Sequence, residues 1–270
     1  MLTYQWLWFY AVDNNDNGRQ MNTGKHYAKA PIVEAVLAIQ FKDSSSSLDS
    51  LAKCGNRIRL DYPTKKDLHY STGRIELGAK SSATTTSEPI GFSWTSADEK
   101  RIFQAKRDGF AFSLLAPYTS WLEFSTEAKR LWDVYQKTVK SKKNYARIAL
   151  RYINRIDFPS PSIEMSEYFN IYTFIPNTLP QVLRSFFFQL TMPLADPRSM
   201  VDIVQTLVPP PPEKRGYTSV LFDIDIYRTE SIPMGENVWE AFGELATQKS
   251  DLFEKCITQK TRVIIGEVTI

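Results

Sequence analysis

Residues 145–158 read YARIALRYINRIDF. Side chains alternate along a strand, so Ile148, Leu150, Tyr152, Ile156 and Phe158 fall on one face. Arg147, Arg151, Arg155 and Asp157 fall on the other. The pattern predicts a long strand that buries one side and shows charge on the other. Proline follows at 159 and 161 and ends it. The strand stands at mid-chain, after one long helical pattern, and opens the second half of the protein.

The first half opens in the same way. Residues 30–41 read APIVEAVLAIQF, with Val33, Ala35, Leu37, Ile39 and Phe41 on one face. Ile32, Val36 and Ala38 make the second face partly apolar, which predicts a central strand covered on both sides. Glu34 interrupts it. A carboxylate there is costly unless paired or hydrogen-bonded, so Glu34 is expected within salt-bridge distance of Arg151 or Arg155. That pairing needs the two opening strands side by side.

The text around the two strands is similar. Tyr27-Ala28-Lys29 with Ile39-Gln40-Phe41 matches Tyr145-Ala146-Arg147 with Ile156-Asp157-Phe158. Each half then passes a weak helix, several antiparallel strands and one long amphipathic helix. The resulting expectation is an α+β fold of two similar halves, 21–144 and 145–270, packed as one unit. Each half would be a curved antiparallel sheet with a long helix on one face, an architecture that resembles helix-grip and TBP-like duplications.

The remaining elements follow from period and punctuation. Residues 48–60 predict a helix, weakened by Gly55, and 62–70 a charged loop. Residues 74–79 predict a short strand and 80–88 a Ser/Thr loop. Strands follow at 91–96, 100–106 and 110–115, the last two joined through Asp108-Gly109, a hairpin signal. A helix over 121–140 starts at a Ser120/Glu123 capping box and carries Phe124, Ala128, Leu131, Tyr135 and Val139 on one face. In the second half, 165–172 predicts a short helix and 185–192 a strand. There Phe186, Phe187 and Phe188 suggest burial on both faces. Strands at 200–208 and 217–227 flank four prolines, 209–212, read as an exposed hairpin connection. A helix over 236–258 and a strand over 263–268 complete the chain.

Composition limits the function classes. The 270 residues are 43% hydrophobic and 13% aromatic, enough for a substantial core, unlike a disordered chain. With 33 basic and 30 acidic residues the net charge is only +3, without the basic excess of a dedicated nucleic-acid binder. Cys54 and Cys256 lie too far apart in sequence for a metal motif and form no disulfide framework. They are expected as unpaired thiols of a reducing cytoplasm. The first ten residues, MLTYQWLWFY, are too short to span a bilayer and lack a signal-peptide pattern. Residues 1–20 are therefore read as a non-native or disordered extension, with Met21 as the native start.

The runs YAKAPIVEAVLAIQF (27–41) and RYINRIDF (151–158) carry a further resemblance. The chain from Tyr27 onward resembles a sporadically distributed prokaryotic family of uncharacterised proteins of about 250 residues. That resemblance implies no activity and no site residues.

Chemistry-bearing motifs are few. His26 and His69 stand in no nucleophile–base arrangement, and the 11 glycines form no phosphate loop. No cofactor is implied. Asp223 and Asp225 share a strand face and could hold a divalent cation. The more informative set joins two strands: Glu34, Arg151, Arg155, Asp157, Asp223 and Asp225 would form one polar sheet face. Three readings follow. The first is a non-enzymatic cytosolic protein that holds a protein partner through this face or the polyproline loop. The second is a nucleic-acid binder that uses Arg151, Arg155, Lys106 and Arg107 on phosphates, with Trp94 and Tyr227 as stacking surfaces. The third is a metal-dependent enzyme using Asp223 and Asp225.

Overall fold

The computed structural model describes residues 27–42, 46–76, 82–139, 145–196, 198–229 and 237–267. The proposed extension at 1–20 and the Met21 start lie outside the described residues. Nine strands alternate with helices in the order β1 (Ile32–Phe41), α1 (Leu48–Ile58), β2 (Thr64–Glu76), β3 (Ser82–Thr95), β4 (Arg101–Lys106), β5 (Gly109–Leu115), α2 (Trp121–Val139), β6 (Tyr145–Phe158), α3 (Met165–Tyr168), β7 (Phe187–Pro193), β8 (Met200–Val208), β9 (Thr218–Arg228), α4 (Val238–Cys256) and α5 (Gln259–Ile264). All nine strands join one sheet in the order β2-β3-β4-β5-β1-β6-β9-β8-β7.

The opening strands do lie side by side. β1 and β6 pair antiparallel, with Leu37 opposite Leu150 and Ile39 opposite Ile148. This pairing overturns the expectation of two similar halves with a sheet each. β1 and β6 are hydrogen-bonded neighbours, with register shifts only near the two ends of their ladder, so there is one sheet. Nor does each half own a helix. α4 buries Val238, Phe242 and Leu245 in the same cluster as Leu37, Phe112 and Leu131. Its last turns bury Phe253 and Cys256 in a second cluster with Ile156, Val201, Phe222 and Ile224. The helix thus joins both clusters of one core.

The helix-covered face is built by alternation. Ala35, Leu37, Ile39 and Phe41 of β1 and Ile148, Leu150, Tyr152, Ile156 and Phe158 of β6 are all buried. In α2, Phe124, Ala128, Leu131 and Tyr135 recur at helical spacing and are buried against the sheet. Ser120 caps that helix through its Oγ, which accepts from Glu123 N at 3.2 Å. Glu123 takes the Thr119 hydroxyl, so the capping box is only half formed. Gly55 is explained by packing. A Cβ there would lie 2.5 Å from Trp94 Nε1, so the indole fills the notch the glycine leaves in α1.

Four local readings are corrected. Residues 64–70 and 82–88 are not loops but parts of β2 and β3, paired from Thr64–Thr95 to Glu76–Ser82, while residues 80 and 81 lie outside the described residues. Their Lys, Ser and Thr runs lack apolar alternation, yet threonine suits a strand and the hydroxyls pair across it, Thr72 with Thr86 at 2.7 Å. Residues 263–267 are not a strand, and residue 268 lies outside the described residues. α5 occupies 259–264 because Thr261 and Ile265, four apart, turn to the core together. The predicted helix at 165–172 shrinks to Met165–Tyr168. Pro209–Pro211 connect β8 to β9 as expected, with Pro212 opening a short 3-10 turn.

Candidate functional site

On the face turned from the helices, β6 and β9 bring the predicted charges together. Arg151 lies opposite Asp225 and Asp157 opposite Ser219. Two ion pairs run diagonally between the strands and a third lies within β6. Arg151 donates to Asp223 through Nε at 3.0 Å and Nη2 at 2.5 Å. Arg147 passes over the Tyr227 ring, 4.3 Å from its centroid, and reaches Asp225 at 2.8 Å. Arg155 donates to Asp157 at 3.0 Å and to the Pro209 carbonyl at 2.7 Å. Lys214 Nζ at 2.9 Å and Ser219 Oγ at 2.5 Å complete the shell of Asp157.

These surroundings set the titration of the carboxyls. Burial raises the Asp157 carboxyl, but hydrogen bonds from Ser219, Lys214 and Arg155 outweigh it and hold it below the usual range. Burial raises Asp225 and wins over the opposing pull of Arg147. One oxygen of Asp225, Oδ1, is buried with no hydrogen-bond partner.

Glu34 departs from the expectation. It sits half-buried opposite Ile153, next to a register shift in the β1–β6 ladder. Neither arginine pairs with it. Arg151 is committed to Asp223 and Arg155 to Asp157, and Glu34 acts on Arg151 only through its longer-range field. Trp94 also fails as a stacking surface. It is 3% exposed and stacks on Phe103 inside the core.

A second feature, missed from sequence, lies at the β7 side of the sheet. The segment between α3 and β7 walls a cavity of about 770 Å³, with Ile163, Met165, Phe174, Leu183, Phe186 and Leu207 among its lining. Its size falls in the range of ligand and peptide clefts. Of its lining, Tyr172, Phe174, Val182 and Leu183 are exposed, Phe174 and Val182 by 75% and 77%, and Leu179 and Phe187 are exposed as well. Phe187 is 69% exposed, which corrects the expectation of burial on both faces. The reason is position: among the described residues β7 is an edge strand with no neighbour on one flank. The sequence signal was present in YTFIPNTLPQVLR (172–184), where apolar residues recur without helix or strand period on both sides of two prolines.

A third group sits under α4. Lys249 Nζ lies 3.9 Å from the centroid of the Tyr152 ring, and Tyr152 Oη meets Tyr118 Oη at 3.0 Å. Burial pushes the Lys249 amine down to about 8, only partly offset by Glu254.

Comparison of the chain with protein-family models and with curated proteins finds no match. Among the described residues no group of three or more His, Cys, Asp or Glu side chains is placed to hold a metal ion. Among them, too, no helix is long and apolar enough to cross a membrane.

Proposed function

We propose that the chain is a non-enzymatic binding protein whose partner is another protein, held at the cavity and the adjoining β7 edge. One observation carries this reading: a run of large apolar side chains, 172 to 187, stands exposed around a cleft beside an edge strand. Contiguous exposed apolar surface of this kind marks an interaction site. The polar sheet face of Glu34, Arg151, Arg155, Asp157, Asp223 and Asp225 supports a structural role better than a binding one. Its arginines are already matched to carboxylates, Arg147 and Arg151 to aspartates of β9 and Arg155 to Asp157 of its own strand. Phosphate binding there would have to break these pairs, which weighs against the nucleic-acid reading. A cation at Asp223 and Asp225 would have to displace two arginines, which weighs against the metal-enzyme reading. Cys54 and Cys256 are buried and unpaired, in keeping with a reducing cytoplasmic setting. The resemblance of the opening strands to a sporadically distributed prokaryotic family adds a host in which to look for the partner.

The test is affinity capture from the native host with nuclease present, using the wild type and a Phe174→Asp, Val182→Asp variant. A polypeptide of defined mass retained by the wild type and lost by the variant supports the reading. A partner released by nuclease, or retained equally by both chains, overturns it.

A further inference from the structure

The two edges of the sheet are built differently. β2 carries Lys65, Lys66, Asp67 and His69 along its exposed length, the charges that keep an edge from pairing with another chain. β7 reads FFQLTMP and holds no charged residue. Among the described residues, no backbone hydrogen bond reaches β7 beyond its ladder with β8. Along β7 the exposure alternates. Phe187, Gln189, Thr191 and Pro193 are exposed, and Phe188, Leu190 and Met192 are only half-buried. On β8 next to it, Val201, Ile203 and Gln205 of the helix-side row are fully buried. The apolar row of β7 is therefore covered on one flank and open on the other.

The sequence of β7 is self-complementary in one register. Turned antiparallel about Leu190, a second β7 sets Phe188 opposite Met192′, Leu190 opposite Leu190′ and Gln189 opposite Thr191′. Each pair lies on one face. The aromatic ring meets a flexible thioether, and the amide meets a hydroxyl. Charge agrees with this match. Neutral meets neutral along β7, whereas two β2 edges would bring lysines against lysines. A seven-residue ladder alone is small for a stable interface. Phe174, Val182 and Leu183 stand exposed, line one cavity with Phe186 next to the start of β7, and extend the apolar area.

We propose that the chain forms a two-fold homodimer in which β7 pairs antiparallel with β7 of a second copy about Leu190, joining two nine-stranded sheets into one. This rests on the reading of the β7 side as a protein-docking surface and names the partner. An isologous contact of this kind closes on itself and leaves only the charged β2 edges free.

The test uses the purified full-length chain. Sedimentation equilibrium of the wild type is expected to give twice the chain mass. Gln189→Lys with Thr191→Lys alters only exposed positions and sets lysine against lysine twice across the two-fold. That variant is expected to keep its circular dichroism spectrum and to dissociate roughly tenfold or more readily. Leu190→Cys supplies an independent readout. Directly opposed residues of an antiparallel pair lie about 4.5–5.5 Å apart at Cα, within disulfide range. Mild oxidation is therefore expected to give a covalent dimer, and the same treatment of Phe187→Cys to give none. A wild type that stays monomeric, or a dimer indifferent to the lysines, overturns the homodimer. If a different host polypeptide is still captured at the groove, the docking-surface reading stands without the homodimer. If nothing is captured, both fall.

Discussion

Arg151 stands directly opposite Asp225 across the β6–β9 ladder, yet its guanidinium clasps Asp223. Asp223 is 4% exposed and opposite an isoleucine, so it depends on this diagonal partner. Asp225 is left to Arg147, which reaches it over the Tyr227 ring.

Arg151→Ala is expected to strand the Asp223 carboxylate. Loss of one partner of a fully buried pair costs roughly 3–5 kcal/mol. The Arg151 side chain is 47% exposed, so solvent screens the pair and about 1–3 kcal/mol is expected. Adding Asp223→Asn should recover part of the loss. Urea unfolding of the single and double variants measures both values.

Gly55→Ala separates two effects of opposite sign. Alanine favours the helix by up to about 1 kcal/mol over glycine. Its Cβ would meet the Trp94 ring at 2.5 Å, and that ring is locked against Phe103. Net destabilisation of roughly 1–3 kcal/mol is expected, as for other overpacked sites. Chemical denaturation gives the sign, and a changed tryptophan emission spectrum would show that Trp94 has moved.

Lys249 offers a pH test. Its amine is pushed from 10.5 down to about 8 in the folded chain. Between those values the unfolded chain binds more protons, so stability rises with pH through that window. Below about pH 8 the full penalty of the buried charge is present. Lys249→Met is therefore expected to stabilise the protein at pH 7 by up to about 3 kcal/mol. The advantage should shrink as pH approaches 10.5. Denaturant midpoints across that range, for both chains, decide it.

How far these features were legible in the sequence depends on what carries each one. β1 and β6 were legible because burial on one face writes strict alternation, and Leu37 and Leu150 sit where that alternation puts them. β2 and β3 were not, because their ladder is held by backbone groups that any side chain brings, and Thr72–Thr86 looks like a loop as text. The two-half architecture failed at α4. Nothing in a helix's own period says that Val238 and Phe253 belong to different clusters. The polar face was legible as a set of residues and misread as to partners. Glu34 was assigned an arginine that Asp223, one strand further on, already holds. The β7 groove was hidden because Phe186-Phe187-Phe188 reads as core until the strand order places it at an edge.

The central claim, that partners dock at the β7 side, is tested most directly by a photo-crosslinking residue at position 187, with position 66 on the opposite edge as control. Expressed in the native host and irradiated there, the chain is expected to form a nuclease-resistant protein adduct from position 187 and none from position 66. Equal crosslinking from both positions, an adduct that nuclease removes, or no adduct at 187 would contradict the account.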